Sequence, residues 1–414
     1  MKIAFIVNSF PILSETFILN QITGLLDLGH KVDIYSRFSP SQIKVHPDVE
    51  NYKLHFFTHY LDKLPKNKAK RILNALILFA TNFHKNPIAV FNSTNIFKFG
   101  KEAFSLYLFY IIIPFLGKNY DIIHCHFGPN GNLGVLLKSV GIKGKLVVSF
   151  HAYDLTKLLV TKGNYFYSKL FQRADLLMPI SNHWEIKLKE LGCPSNKIIV
   201  HHMGVNTNIF KFVVRKPYDI NIINILSVGR LVEKKGFEFG IRAVALIKRK
   251  YPKVKLKYCI VGNGMLRNHL STLIKKLELF DIVEILESKT QNEVKELMIH
   301  SHIFLLPSIT AQDGDQEGIP VVLMEAMATG LPVISSLHTG IPELVQDGQS
   351  GFLVPERNVD ALKKKLEYLI NHPKIRPEMG RAGRKFVEEH YDIKKQNKKL
   401  VKIYEELLNE REHL

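Results

Sequence analysis

Short apolar runs alternate with helix-period segments through most of this chain, and the alternation starts over once. KIAFIV (2–7) precedes a helical stretch from Ser14 to Leu28, with Ser14 suited to cap its start and Gly29 to end it. KVDIYS (31–36), DIIHCHF (121–127), KLVVSF (145–150) and LLMPIS (176–181) continue the pattern. A polar, irregular stretch near 206–220 interrupts it. INILSVG (223–229), KLKYCIVG (255–262), VEILES (283–288), IFLLPS (303–308) and PVISS (332–336) then repeat it. Apolar strands separated by helices are the signature of a parallel sheet covered on both faces. The sequence therefore predicts an α/β protein: two doubly wound (Rossmann-like) parallel-sheet domains facing a cleft. The first occupies 1–208 and the second 209–390, and 391–414 forms a terminal helix. Ligands of such sheets lie beyond the carboxyl ends of the strands.

The formal charge of +19 favours an anionic partner without saying which. Within 51–101 there are nine Lys/Arg and one acid, Asp62, and residues 63–85 are basic, then apolar. Such a segment suits an anionic membrane surface, or else a solvated helix face. AFSLYLFYIIIPFLG (103–117) is the most apolar run, but its 15 residues contain Pro114 and are short for a span. It reads as a core helix or an interfacial segment. Cys125, Cys193 and Cys259 lie far apart without metal-ligand spacing, which points to free thiols in a reducing compartment. MKIAFIV is too short in apolar residues for a signal peptide. The expected location is cytoplasmic, with peripheral docking on the inner face of the cytoplasmic membrane.

The second half carries the unusual carboxylates. From Gly318 to Ser336 the only formally charged residue is Glu325, and Glu317 lies eight positions before it. A buried carboxylate is costly unless something polar holds it. Pro320 suits the first position of a helix and Gly330 its end. Eight helical residues span about 12 Å, too far for an acid/base pair but suited to two ends of one extended ligand. The helix start between them favours phosphate. A surface Glu plus a structurally paired Glu is the plainer reading of the same spacing.

Arg230 and Lys235 follow the strand INILSVG, with Gly236 next, which fits a diphosphate clamp or a solvated basic loop. Gly262, in VGNG after another strand, allows close approach to the backbone. A nicotinamide site is disfavoured because Arg267 stands where a third glycine belongs. His151 follows the strand KLVVSF, faces the cleft and can bond a sugar hydroxyl or a neighbouring loop. His124 and His126 have no third ligand nearby and read as structural. Asp313 and Asp315 could hold a divalent metal, but without further carboxylates they read as an acidic loop, and no metal is expected.

Taken together these residues resemble the retaining glycosyltransferases of family 4, which have the GT-B fold. Glu317 and Glu325 fit that family's E-x7-E motif. GRLVEKKG, VGNGMLR, LLPS, GIPEL and DGQSGFLVP fall in its order. FPILSETFILNQITGLLDLGHKVDI and HCHFG resemble the narrower colanic acid and exopolysaccharide group. The resemblance implies that Arg230 and Lys235 hold the donor diphosphate and Glu325 the ribose. Glu317 and the backbone of Gly318 and Ile319 would hold the donor sugar, and His151 would contact it from the opposing domain. It implies a terminal helix that crosses back to the first domain. Two departures stand out: the loop 8–16 has no glycine pair, and Ala152 stands where many relatives have Gly.

The resulting expectation is a retaining hexosyltransferase that needs no metal. Its donor is a UDP- or GDP-sugar, UDP preferred, with galactose or glucose favoured over mannose, and loop 288–294 bears on the choice. Its acceptor is a lipid-linked saccharide of exopolysaccharide or lipopolysaccharide synthesis. A nucleic-acid-binding protein is disfavoured because no recognition motif accompanies the charge. A catalytically silent scaffold of the same fold is the remaining rival.

Overall fold

The computed structural model describes residues 1–12, 15–40, 45–61, 64–215 and 222–409. Ser14, the expected helix cap, lies outside them. The first six-stranded sheet comprises β1 (Lys2–Ser9), β2 (Lys31–Phe38), β3 (Thr58–Tyr60), β4 (Ile122–His126), β5 (Lys145–Phe150) and β6 (Leu176–Pro179), in the order β3-β2-β1-β4-β5-β6. The second comprises β7 (Ile223–Val228), β8 (Leu256–Val261), β9 (Val283–Leu286), β10 (Ile303–Leu306), β11 (Val333–Ser336) and β12 (Gly351–Val354), in the order β12-β11-β10-β7-β8-β9. All recorded strand pairings are parallel, with Ile3 beside both Val32 and Ile122, and Ile225 beside both Ile303 and Tyr258. The central strands are buried on both faces, which explains their unbroken apolar runs.

The strand order reverses between β1 and β4 in one sheet and between β7 and β10 in the other. The crevices at those switch points lie at the carboxyl ends of the strands. There the chain places the loop after Ser9, His126–Phe127, Gly229–Arg230 and Pro307–Ser308. Two strands were not anticipated. β3 is three residues inside a basic, irregular segment, and β12 opens on a glycine.

The chain passes between the domains twice, side by side. The Val205 N–H donates to Tyr391 O and the Ile393 N–H to Val205 O, and the Thr207 hydroxyl donates to Asp392 at 2.5 Å. The last helix, Ile393–Asn409, then packs on the first domain. Leu400, Ile403, Tyr404 and Leu407 share a core with β1 and helix Thr16–Asp27. The Tyr404 hydroxyl lies 2.6 Å from Nδ1 of buried His124.

The apolar run 103–117 is interior. Leu108, Phe109, Ile111, Ile112, Phe115 and Leu116 are buried, and among its large apolar side chains only Phe104 is exposed. This run therefore does not face lipid. Helix Lys68–Asn82 behaves oppositely: it buries only Ala75 and Asn82. Among the described residues no helix is long and apolar enough to cross a membrane.

Candidate active site

The wall contributed by the second domain is built where β7 and β10 end. A short turn, Glu233–Lys235, leads to Gly236, whose φ of 63° lies in the left-handed region. A Cβ there would fall 1.9 Å from Pro307 O, so only glycine lets the turn settle on the end of β10. Gly262 is required for a similar reason: its Cβ would sit 1.9 Å from Gly229 O. The two glycines thus admit neighbouring protein backbone.

This turn separates three adjacent cations. Lys234 is buried, and its Nζ donates to Asp315 Oδ1 and to Gln316 O, both at 3.0 Å. Lys235 Nζ lies 2.9 Å from Glu317 Oε1, an ion contact without hydrogen-bond alignment. Arg230 is exposed. Burial pushes the Glu317 carboxyl up, but the charges of Lys235 and Lys234 outweigh it and hold the group down at about 2. Burial conversely lowers Lys235, against the pull of Glu317. Asp313 is bound by Lys157 of the first domain at 2.6 Å, so both carboxylates of the Asp-x-Asp triplet face lysines.

Glu317 precedes the helix rather than lying on it. The helix is Val321–Ala328, and Pro320 is its N-cap, one position earlier than expected. Gly330, with φ of 78°, ends it: Gly330 N–H donates to Met327 O and Leu331 N–H to Ala326 O. Among the described residues the Glu325 carboxyl has no partner, and its burial in the apolar helix pushes it up to about 7. The N–H groups of Gly318 and Ile319 likewise meet no acceptor there.

A loop after β11 fixes the Glu317–Ile319 segment. The Glu317 N–H donates to His338 Nε2 at 3.1 Å. The proton of that buried ring therefore sits on Nδ1, which donates to Glu356 Oε1 at 2.6 Å. Glu356 in turn accepts from the Thr310 N–H at 2.8 Å. The Thr339 hydroxyl donates to Gly318 O at 3.2 Å, and Thr339 holds a φ of 45° to do so. His338 and Glu356 were not anticipated. His338 follows the end of a strand, the same signal that singled out His151.

The opposing wall belongs to the first domain. His151 Nε2 and His126 Nδ1 share a hydrogen bond of 3.0 Å, and Phe17 and Phe127 pack on the His151 ring. Burial lowers His151 to about 3, so the ring is neutral. Asp154 accepts from the backbone N–H of His151 and of Gly128, both at 2.9 Å. Between these lies Ala152, with φ of 94°, where an L residue is strained. The walls meet at Gly318: a Cβ there would fall 2.3 Å from Ile180 Cδ1 and 3.2 Å from His151 O. Glu15, from the glycine-free loop, is pushed up to about 7 by burial, opposed by the charge of Arg230 across the cleft. Lys235 and Glu317 thus touch, Gly318 abuts His151, and Arg230 faces the first domain. Among the described residues Glu325 stands without a protein partner.

Residues 14–209 match Glycosyltransferase Family 4, and residues 213–386 match Glycosyl transferases group 1. The chain is 37% identical over 397 residues to a Salmonella typhimurium protein named as a colanic acid biosynthesis glycosyltransferase, WcaL, covering 94% of this chain and 96% of that one. The chain belongs to the family 4 glycosyltransferases. It is 38% identical over 371 residues to the amylovoran biosynthesis glycosyltransferase AmsK of Erwinia amylovora, covering 87% and 89% of the two chains. The structure of Anabaena Alr3699/HepE in complex with UDP superposes with a TM-score of 0.72 at 17% identity, covering 98% of this chain and 100% of that one. That likeness establishes the GT-B arrangement of the two domains.

Proposed function

We propose that this glycosyltransferase transfers a hexose with retention of configuration, from a nucleoside diphosphate sugar to a lipid-linked saccharide in exopolysaccharide or lipopolysaccharide synthesis. The observation that carries the donor reading is one wall of unspent groups. Exposed Arg230, the partnerless Glu325 and the free N–H groups of Gly318 and Ile319 lie around a Lys235–Glu317 pair. An anionic diphosphate satisfies the cations and N–H groups, and a ribose hydroxyl pair satisfies Glu325. Lys235 already neutralises Glu317, so Arg230 makes the larger new contact with the diphosphate. Glu317, held by His338, and His151 from the opposing wall bond the sugar hydroxyls.

As the glycosidic bond to the nucleotide breaks, negative charge grows on the leaving phosphate. Fixed cations and backbone N–H groups stabilise that charge, and a phosphate oxygen on the same face assists the acceptor hydroxyl. No protein nucleophile is assigned, and no metal is required in this reading. A uracil base is favoured over guanine; complexes of Alr3699/HepE with UDP and with UDP-glucose support that choice. The names of the WcaL and AmsK relatives support exopolysaccharide synthesis. The basic segment 51–101 supports work at the inner face of the cytoplasmic membrane.

A thermal-shift panel of nucleoside diphosphate sugars tests the donor assignment. UDP-glucose or UDP-galactose should raise the melting temperature, with EDTA present, by mass action. No shift with any UDP- or GDP-sugar would sink the assignment. A shift that needed added Mn²⁺ would promote Asp313 and Asp315 to metal ligands and overturn the metal-free reading.

A further inference from the structure

Helix Lys68–Asn82 carries its apolar side outward. Leu73 is 61% exposed and Leu76 64%, with Ile72 and Ile77 beside them at one-turn spacing. Phe104 is exposed as well. The helix is tied to its neighbours on its other side. Arg71 donates to Pro65 O and to Ser105 O, next to Phe104, and the Tyr110 hydroxyl donates to Arg71 O. At the other end Phe79 and Phe83 contact the ring of Phe91. Monomeric proteins rarely expose a contiguous apolar face beyond a few hundred Å² without a partner.

The rim says what that partner is. Between Pro65 and Phe104 the chain has seven Lys/Arg and one acid, Glu102. Lys66, Lys68 and Lys70 are exposed at the start of the helix, while Arg71 is spent on the two carbonyls. Apolar side chains framed by lysines match the boundary between acyl chains and anionic headgroups. A second copy of this chain would bring like charge against like. The exposed apolar residues run along one side of the helix at one-turn spacing, which suits a helix lying in the plane of the surface.

We propose that Ile72, Leu73, Leu76 and Ile77 insert into the headgroup–acyl boundary of an anionic bilayer, with Lys66, Lys68 and Lys70 on its phosphates. This deepens the membrane part of the proposed function. It moves the inserting element from the buried run 103–117 to the exposed helix, and makes apolar insertion as necessary as charge.

The test uses the full chain with vesicles of phosphatidylglycerol and phosphatidylcholine, and of phosphatidylcholine alone. Wild type should sediment with the anionic vesicles. A triple variant, Leu73→Gln, Leu76→Gln and Ile77→Gln, should lose binding roughly tenfold or more even at low salt, because three apolar groups that would enter the bilayer are removed. Lys66→Gln, Lys68→Gln and Lys70→Gln together should remove the preference for anionic vesicles. In Leu76→Trp, emission should shift to the blue on anionic vesicles, against a background of the single buried Trp184. Wild-type sedimentation by the triple Gln variant, or no vesicle binding by wild type, would overturn the proposal. So would a wild-type dimer that the same variant splits. The nucleoside diphosphate sugar panel run alongside separates the readings: vesicle binding without any donor shift would sink the donor assignment and leave this one standing.

Discussion

Replacing Lys235 by Met should expose how the site tolerates a buried Glu317. At 2.9 Å and an effective dielectric of about 20, the two charges attract by about 6 kcal/mol, most of which repays their desolvation. Removing Lys235 alone leaves Glu317 buried beside only Lys234, which Asp315 already occupies. The loss has a ceiling, because the stranded carboxyl can take up a proton. From an ordinary value of 4.5, protonation at pH 7 costs about 1.36 × 2.5, or roughly 3 kcal/mol.

The sign of the pH dependence follows. In wild type the folded Glu317 is depressed to about 2, so its contribution is full above about 4.5 and is lost only as pH falls towards 2. In Lys235→Met the group is raised instead, so that variant recovers as pH falls from 7 towards 4.5. The gap between the proteins should be about 3 kcal/mol at pH 7 and about 1 kcal/mol at pH 5. In thermal melts of donor-free protein that is about 6–12 °C at pH 7 for a domain of this size. Lys235→Met with Glu317→Gln should recover most of the loss, because no charge is stranded. A gap that is absent at pH 7, or equal at both pH values, would refute the pairing.

Arg230→Ala should weaken UDP-glucose binding roughly tenfold or more at unchanged melting temperature. Lys234→Ala should instead lower the melting temperature, because it strands Asp315; the reverse pattern would reassign the diphosphate contact. Glu325→Gln should stabilise donor-free protein at pH 8 by up to about 3 kcal/mol and leave it unchanged near pH 4.5, in urea melts, since a raised folded value penalises only the ionised form. His338→Ala should cost about 1–3 kcal/mol and weaken donor binding, because the Glu317 N–H loses its acceptor and Glu356 one of its donors. His338→Asn, which can still accept and donate, should restore part of both. Ala152→Gly should stabilise by about 1 kcal/mol in the same melts, because it removes the strain of a positive φ.

Local pattern was enough for the two sheets. Ten of the twelve strands announce themselves as apolar runs bounded by turn residues, because a strand buried on both faces has no polar side to show. β3 escaped because a three-residue edge strand, Thr58–Tyr60, needs no such run. The spacing of Glu317 and Glu325 was legible, and so was the glycine that ends their helix. Their different electrostatic states were not. Glu317 is held low by a lysine 82 positions earlier in the chain, and Glu325 is pushed up by burial, with no partner among the described residues to offset it. The anchor of Glu317 was equally hidden: His338 and Glu356 come from separate loops, joined only where β11 and β12 end side by side. Asp313 and Asp315 look alike in sequence, yet one binds the opposing domain and the other its own. Hydropathy also ranked the apolar segments the wrong way round for exposure. The run 103–117 is covered by its neighbours, while the less apolar helix 68–82 is left uncovered. Period and composition measure how much apolar surface a segment has. Whether that surface meets protein depends on what the rest of the chain brings against it, and only the tertiary structure decides that.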